Sequence, residues 1–160
     1  MDHHKKKLAW DLYERAHRLQ MEGQWDEAVR LYRESINVFP TAEAHTFLGW
    51  TYRFQGNLQA AIDECMKAIR VDPTLGNPYN DIGAYMIELE RYDDAIPWLE
   101  KATCADRYQT YHYAWYNLGR AWAAKEAFTR ARECFQKALA LAPEYSPAKD
   151  ALDKVRRVVQ

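Results

Sequence analysis

The chain has 160 residues, with 23 acidic against 22 basic side chains, a net charge of −1 and a pI near 6.5. This balance provides no basic face that would bind nucleic-acid phosphates, so we do not expect nucleic acid as a partner. The first residues are charged and lead into an amphipathic helix, so we expect neither a signal peptide nor a membrane anchor. We therefore predict a cytoplasmic location.

Three columns of small residues recur along the chain with common spacings of 33, 34 and 36 residues. A period near 34 residues indicates one two-helix unit that is copied four times, each copy too small to bury its apolar face alone and therefore stacked on its neighbours. Small side chains are needed where two helices approach to about 8–10 Å. The columns are Ala16, Gly49, Gly83 and Gly119; Ala28, Ala61, Ala95 and Ala131; and Ser35, Ala68, Ala102 and Ala138.

The first predicted unit spans residues 8–41 and follows a flexible N-terminus at residues 1–7. It is the most divergent copy, with Arg15 where the other units carry leucine or isoleucine. A charge at this place suits a terminal unit with one face in water. Its patterned positions are Leu12, Ala16, Leu19, Ala28, Tyr32 and Pro40.

The second predicted unit spans residues 42–75 and shares one feature with the first, a glycine between its two helices. Gly23 and Gly56 tolerate the left-handed backbone that ends a helix. The third and fourth units carry Glu90 and Glu126 at this place, so we expect turns there that are a little more strained or differently shaped. The patterned positions of the second unit are His45, Leu48, Gly49, Tyr52, Ala61, Cys65, Ala68 and Pro73.

The third predicted unit spans residues 76–111 and has a proline, Pro97, within its second helix. Proline costs roughly 3 kcal/mol in a helix interior but little in the first turn. We therefore expect this helix to begin near Asp93 or Asp94, or to bend at Pro97. The patterned positions are Tyr79, Ile82, Gly83, Met86, Ala95, Leu99 and Ala102.

Two extra residues separate the third and fourth units, within the aromatic run 107–113. They either lengthen the following helix at its start or form a protruding turn. Tyr108 and Tyr111 accordingly either cover a seam between units or form a lip on a binding groove, and the sequence favours neither reading.

The fourth predicted unit spans residues 112–145, and residues 146–160 form one more helix that caps the array. Ser146 is expected to cap this helix and Pro147 to lie in its first turn. Its apolar stripe consists of Ala148, Ala151, Leu152, Val155 and Val159.

The fourth unit resembles a tetratricopeptide repeat, whose signature is Trp-x2-Leu-Gly-x2-Tyr, then Ala-x3-Phe, then Pro. The resemblance implies an all-α protein, a right-handed superhelical solenoid of antiparallel helix pairs. It also implies that the first helices of successive repeats line a concave groove. The matching residues are Trp115, Leu118, Gly119, Trp122, Ala131, Phe135 and Pro143.

The groove residues follow from this geometry, as positions one helical step away from the buried leucine-glycine pairs. They are rich in tryptophan, tyrosine and arginine, which most often carry interface energy, and in asparagine, which pairs with peptide groups. The predicted set is Tyr13, His17, Thr46, Trp50, Arg53, Asn80, Asp81, Ala84, Tyr113, Tyr116, Asn117 and Arg120, with Tyr108 and Tyr111 as the potential lip.

The resemblance also argues against one ligand class, the free C-terminal carboxylate. Tetratricopeptide co-chaperones of heat-shock proteins grip that carboxylate with two lysines, two asparagines and an arginine over three consecutive first helices. This chain lacks the clamp in both registers, and Asp81 would repel a carboxylate. The matching places hold Tyr13, His17, Phe47, Asn77 and Asp81, or, one repeat later, Thr46, Trp50, Asp81, Tyr113 and Asn117.

No residue pattern indicates catalysis, a metal or a cofactor. The three cysteines lack Cys-x-x-Cys spacing and are expected to act as small apolar side chains. His45 replaces a large core residue and is expected to pack rather than to bind metal. Asp93 and Asp94 open a helix, where acidic side chains complement the helix dipole. The cysteines are Cys65, Cys104 and Cys134.

These observations favour a non-catalytic scaffold whose partner is a protein or peptide. An alternative is an assembly subunit, a homo-oligomer that self-associates through the ends of the solenoid, because the divergent first unit suits either a cap or an interface. A remote alternative is a small-molecule-binding or enzymatic domain.

Overall fold

The computed structural model describes residues 1–159, which form nine α-helices without a β-strand. Eight helices form four consecutive antiparallel pairs and the ninth follows them. The helices are α1 (Asp2–Met21), α2 (Trp25–Val38), α3 (Ala42–Phe54), α4 (Leu58–Val71), α5 (Asn77–Glu88), α6 (Tyr92–Thr103), α7 (Tyr111–Ala124), α8 (Phe128–Leu141) and α9 (Ser146–Val159).

The first helix begins earlier than expected. Residues 2–7, which the sequence placed in a flexible N-terminus, form the first turns of α1. Asp2 lies in the first turn, where a negative side chain complements the positive end of the helix dipole. The helix boundary therefore lies before the repeating pattern begins.

The chain divides into two compact units, residues 1–78 and residues 79–160. The core of the first unit is built around Leu12, Leu31, Tyr32 and Leu48, which are all buried. One core cluster of the second unit joins Phe135 of α8 to two side chains of α9, Leu152 and Val155. A second cluster joins Ala102, Tyr108 and Ala114.

Gly49, Gly83 and Gly119, from one column of small residues, lie where paired helices pack tightly. An added Cβ would lie 2.4 Å from Leu99 Cδ2 at Gly83 and 2.5 Å from Phe135 Cε1 at Gly119. At Gly49 it would lie 2.9 Å from the backbone oxygen of Ala61. The glycines of the third and fourth pairs thus make room for a large side chain of the partner helix, Leu99 and Phe135.

The turns within the four helix pairs share one backbone conformation, so the turns at Glu90 and Glu126 are strained rather than differently shaped. Gly23 and Gly56 have φ values of 78° and 83°, and Glu90 and Glu126 have φ values of 59° and 60°. In each turn this residue donates to a carbonyl three residues back and the next residue donates five residues back, the Schellman pattern. Two glutamates therefore adopt a left-handed conformation that favours glycine.

The second helix of the third pair begins close to the expected residues. α6 begins at Tyr92, next to Asp93, and Pro97 lies beyond its first turn, so a bend at Pro97 stays a prediction. The two extra residues before the fourth pair are accommodated in part by α7, which begins at Tyr111. The rest of the segment is the connection 104–110.

Candidate functional site

Six rings form a continuous series along α1 and α3 in the first unit, which we call the aromatic face. Stacking begins in α1, where the Trp10 and Tyr13 centroids are 4.8 Å apart. The series crosses to α3 through His17 and Phe47, 5.1 Å apart. It continues through Phe47 and Trp50 to Phe54. The aromatic face consists of Trp10, Tyr13, His17, Phe47, Trp50 and Phe54.

The aromatic face is partly accessible. Trp10 and Phe54 at its ends are 43% and 40% exposed, and the four rings between them are half-buried. Burial, followed by the negative charges of Glu43 and Glu14, raises the pKa of Tyr13 to about 12. The Tyr13 hydroxyl is therefore neutral at physiological pH, and acidic side chains lie near this part of the face.

Two other predicted groove residues of the first unit have different environments. Thr46 is buried and its hydroxyl donates to the Ala42 carbonyl of its own helix at 2.7 Å. Arg53 is half-buried, with its guanidinium carbon 5.3 Å from the centroid of the Phe54 ring. Thr46 therefore lacks a free donor, whereas Arg53 adds a cation beside the aromatic face.

A chain of polar side chains links α5 and α7 in the second unit. Asn117 Nδ2 donates to Asn80 Oδ1 at 3.0 Å, and Arg120 Nη1 donates to Asn117 Oδ1 at 3.0 Å. Both asparagines are buried, so each satisfies a polar group of the other. The sequence selected all three residues separately for peptide contact, and the structure joins them in one network.

The remaining predicted residues of α5 are half-buried. Asp81 is enclosed enough that burial, partly offset by a hydrogen bond with Asn80, raises the pKa of its carboxyl to about 7. Ala84 lies one turn further along the helix. The Asp81 carboxyl is therefore close to the boundary between its charged and neutral forms at physiological pH.

A cluster of rings at the start of α7 includes a residue that the sequence reasoning missed. Tyr145, in the connection to α9, lies 5.4 Å from both Tyr113 and Tyr116 and 5.2 Å from His112. Tyr113 is 41% exposed. Tyr145 follows Pro143, outside any periodic segment, so helical spacing could not identify it.

The two candidate lip residues lie in or next to the connection 104–110. Tyr108 is 8% exposed and packs against Ala102 and Ala114. The Tyr111 hydroxyl donates to the Ala105 carbonyl. This packing favours covering over protrusion, and a role for these tyrosines in binding stays a hypothesis.

A polar cluster around the buried pair His45 and Glu64 in the first unit also escaped the sequence reasoning. His45 Nδ1 lies 2.7 Å from Glu64 Oε2, and Lys67 Nζ donates to Glu64 Oε1 at 2.8 Å. Arg33 Nη2 donates to the Tyr52 hydroxyl at 2.5 Å, and all five side chains line a pocket of about 250 Å³. The sequence signal was available, because Glu64 occupies a core-facing position next to Cys65.

Thiols and potential metal ligands are distributed as follows. Cys65 and Cys134 are buried, and Cys104 is exposed. Burial raises the pKa of the Cys134 thiol to about 11. Within residues 1–159, no group of three histidine, cysteine, aspartate or glutamate side chains could hold a metal ion. In the same range, no helix combines the length and apolar character needed to cross a membrane.

Two tetratricopeptide repeat profiles match residues 13–75 and 112–145. The chain is 32% identical over 93 residues, 58% of its length, to a Protein SGT1 homolog of Oryza sativa subsp. japonica. It is 26% identical over 120 residues, 74% of its length, to the Type IV pilus assembly protein PilF of Pseudomonas aeruginosa. The matches span 25% and 48% of those two relatives, so the chain covers at most about half of either protein.

Solved structures show the same arrangement of helices. The Pseudomonas aeruginosa PilF structure superposes with a TM-score of 0.86 at 22% identity, covering 97% of this chain and 72% of that one. The first tetratricopeptide domain of Spaghetti (RPAP3), bound to the HSP90 peptide SRMEEVD, superposes with a TM-score of 0.70 at 23% identity. That match covers 74% of this chain and 93% of the other. At these identities the likeness establishes a shared all-helical repeat fold.

Proposed function

This chain belongs to the tetratricopeptide repeat family, and on that premise we propose that it is a non-catalytic scaffold that binds an extended peptide segment of a partner protein. The proposed contact surface is the aromatic face of α1 and α3 in the first unit. A structurally similar domain binds a peptide of HSP90, which supports this class of function.

The aromatic face carries the proposal. A folded chain normally buries its large rings, yet here six rings adjoin one another and both ends of the series are about two-fifths exposed. Half-buried rings are already held by their neighbours, so they lose little conformational freedom when a ligand covers them. Tryptophan and tyrosine at such places are the residues that most often dominate binding energy.

Trp50 offers the sharpest test of the aromatic face. It is half-buried between Phe47 and Phe54, and its removal leaves no buried polar group unpaired. Asn80 is a poorer probe, because its replacement would remove the partner of the buried Asn117. A loss of binding in an Asn80 variant could therefore reflect local unfolding.

The experiment selects short random peptides on the protein by phage display and measures their affinity by calorimetry. We expect Trp50→Ala to weaken the selected peptides by about 2 kcal/mol, which corresponds to about 30-fold. The matched control is Trp98→Ala, which removes a half-buried tryptophan of α6 that contacts Tyr79. Equal affinities for Trp50→Ala and wild type, with helicity intact, would exclude the aromatic face as the binding surface.

Self-association is a second candidate function, favoured by exposed apolar side chains in the terminal helices. Leu8 in α1 is 51% exposed and Val158 in α9 is 60% exposed. Exposed apolar side chains of this size on a solenoid end are suited to contact with a second copy.

A further inference from the structure

A pocket of about 380 Å³ lies in the second unit, where α9 packs beside α7 and α8. Most of its wall is apolar, and the lining includes Phe128, Phe135 and Val155. Ala123 and Ala151 also line it. Because these two side chains are small, α9 packs on the preceding pair without filling the space beside Phe135.

The pocket is open at its edge. Val158, one turn beyond Lys154 on α9, lines the pocket and is 60% exposed, and Ala124 at the end of α7 is exposed as well. A ligand can therefore enter without displacing a buried side chain.

Two cationic side chains, Arg120 of α7 and Lys154 of α9, line the same pocket, and no described carboxylate does. The polar contact of Arg120 is with the neutral Asn117 amide, and its guanidinium lies over the Tyr116 ring at 5.8 Å. Lys154 makes no ion pair within residues 1–159. An anionic group here would gain Coulomb energy without competing with an existing partner.

We propose that this pocket binds a bulky apolar side chain of a partner peptide, with a neighbouring acidic side chain of that peptide between Arg120 and Lys154. The volume lies near the lower end of the roughly 300–1,000 Å³ range of ligand pockets, which suits one or two side chains rather than a folded surface. Most of the wall is apolar, and its two cationic side chains have no carboxylate beside them in the lining. The pocket therefore favours a peptide that carries both an apolar and an acidic side chain. The inference rests on the proposed function in that the ligand is a peptide, but it concerns a different surface from the aromatic face.

The first experiment titrates the ¹⁵N-labelled protein with three short peptides and follows backbone amide shifts. All three are acetylated and amidated, so that side-chain charge is tested without a free carboxylate. Their sequences are Glu-Leu-Phe-Glu, Lys-Leu-Phe-Lys and Glu-Ser-Gly-Glu. We expect Glu-Leu-Phe-Glu to shift the amides of Ala123, Ala151 and Val155, with at least tenfold higher affinity than the other two.

Each alternative result overturns a stated part of the inference. Equal affinity for the lysine peptide would remove the role of Arg120 and Lys154. Equal affinity for the serine-glycine peptide would remove the apolar anchor. Shifts confined to other parts of the chain would overturn the pocket as a site.

The second experiment repeats the titration with charge-reversal variants of α9. Lys154→Glu should weaken Glu-Leu-Phe-Glu at least tenfold, whereas Arg157→Glu, an exposed cation of the same helix outside the pocket, should change the affinity less than twofold. Circular dichroism melts establish that both variants fold. A folded Lys154→Glu variant that binds like wild type would overturn the proposal.

Trp50→Ala separates this inference from the proposed function. The variant alters the aromatic face of the first unit, so the shifts of Ala123, Ala151 and Val155 should remain as in wild type. Selected peptides that bind Trp50→Ala as tightly as wild type, with an intact pocket response, would overturn the aromatic face alone. Loss of affinity in Trp50→Ala without a pocket response in either protein would overturn the pocket alone.

Discussion

Glu64 is a buried acidic side chain, 7% exposed, that forms hydrogen bonds with His45 and Lys67. Burial acts to raise its pKa, but hydrogen bonds with His45 and then Lys67 outweigh it, so the pKa of Glu64 lies below its ordinary value of 4.5. Folding therefore favours the ionised Glu64 carboxylate over its neutral form. Its contribution to stability is fully present above the unfolded pKa and is lost as the pH falls through the lower, folded value.

We expect Glu64→Gln to lower the free energy of unfolding by about 2 kcal/mol at pH 7, the scale of hydrogen bonds to a buried charged group. The difference from wild type should disappear once the pH falls below the lowered pKa of Glu64 in the folded chain, because both chains are then neutral at this position. Urea denaturation across the acidic and neutral range measures this. Glu34→Gln, at an exposed ion pair with Arg30, is the control and should have little effect. A difference that stays constant with pH would contradict the assignment of charge.

At the scale of helix pairs, Gly83 determines how closely α5 approaches α6. Leu99 occupies the space that a side chain at position 83 would need, since its Cδ2 and Cγ atoms would both lie 2.4 Å from an added Cβ. We expect Gly83→Ala to destabilise the chain by about 1–3 kcal/mol through overpacking. In a Leu99→Ala background the same change should cost much less, since the space is then vacant. Additive effects in this double-mutant cycle would show that the two positions do not compete for space.

The turns of the third and fourth pairs offer a stabilising substitution. Glu90 and Glu126 adopt positive φ values in turns where the first two pairs use glycine. We expect Glu90→Gly and Glu126→Gly each to raise stability by up to about 1 kcal/mol, because relief of left-handed strain exceeds the added entropy of the unfolded chain. Thermal melts measure the gain, and Glu133→Gly within α8 should instead lower the melting temperature. A lower melting temperature for both turn variants would mean that the glutamate side chains stabilise these turns.

The sequence predicted the helix pairs well, because their signals are local and repeated. The repeat period, the columns of small residues and the positions of the turns all follow from the spacing of residues along the chain. The strain at Glu90 and Glu126 could be inferred because the first two repeats carry glycine at the same place. Spacing cannot show which side chain fills the room beside a glycine, so the role of Leu99 against Gly83 became visible only in the structure.

The candidate site was less predictable, since contacts across helices depend on rotamers and connections. The helical step identified Trp50 and Arg120 as surface candidates. It did not reveal that Asn80 and Asn117 bind each other, or that Tyr145 joins Tyr113 from an irregular connection. The pocket beside Lys154 arises from small side chains on two helices, which are individually indistinguishable from ordinary packing positions.

At the scale of the whole chain, the two candidate functions make opposite predictions about how the molecular mass in solution changes with protein concentration. Exposed apolar side chains occur in both terminal helices, including Leu8, Trp10, Val158 and Val159. If their role is to bind peptides, light scattering should give a mass near 18.8 kDa from micromolar to near-millimolar concentration, and this is the result we expect. If their role is self-association, the mass should rise with concentration and Leu8→Ser or Val158→Ser should reverse the rise.

A peptide selected on the aromatic face distinguishes the remaining case, in which one surface serves both functions. Trp10 is exposed at the end of that face and belongs to the terminal helix α1, so a second copy bound through Trp10 would compete with the peptide. Saturating peptide should then return an oligomer to 18.8 kDa, and Trp10→Ser should weaken both peptide binding and association. An oligomer that persists with peptide bound would instead locate self-association away from the aromatic face, where the exposed valines of α9 are the next surface to alter.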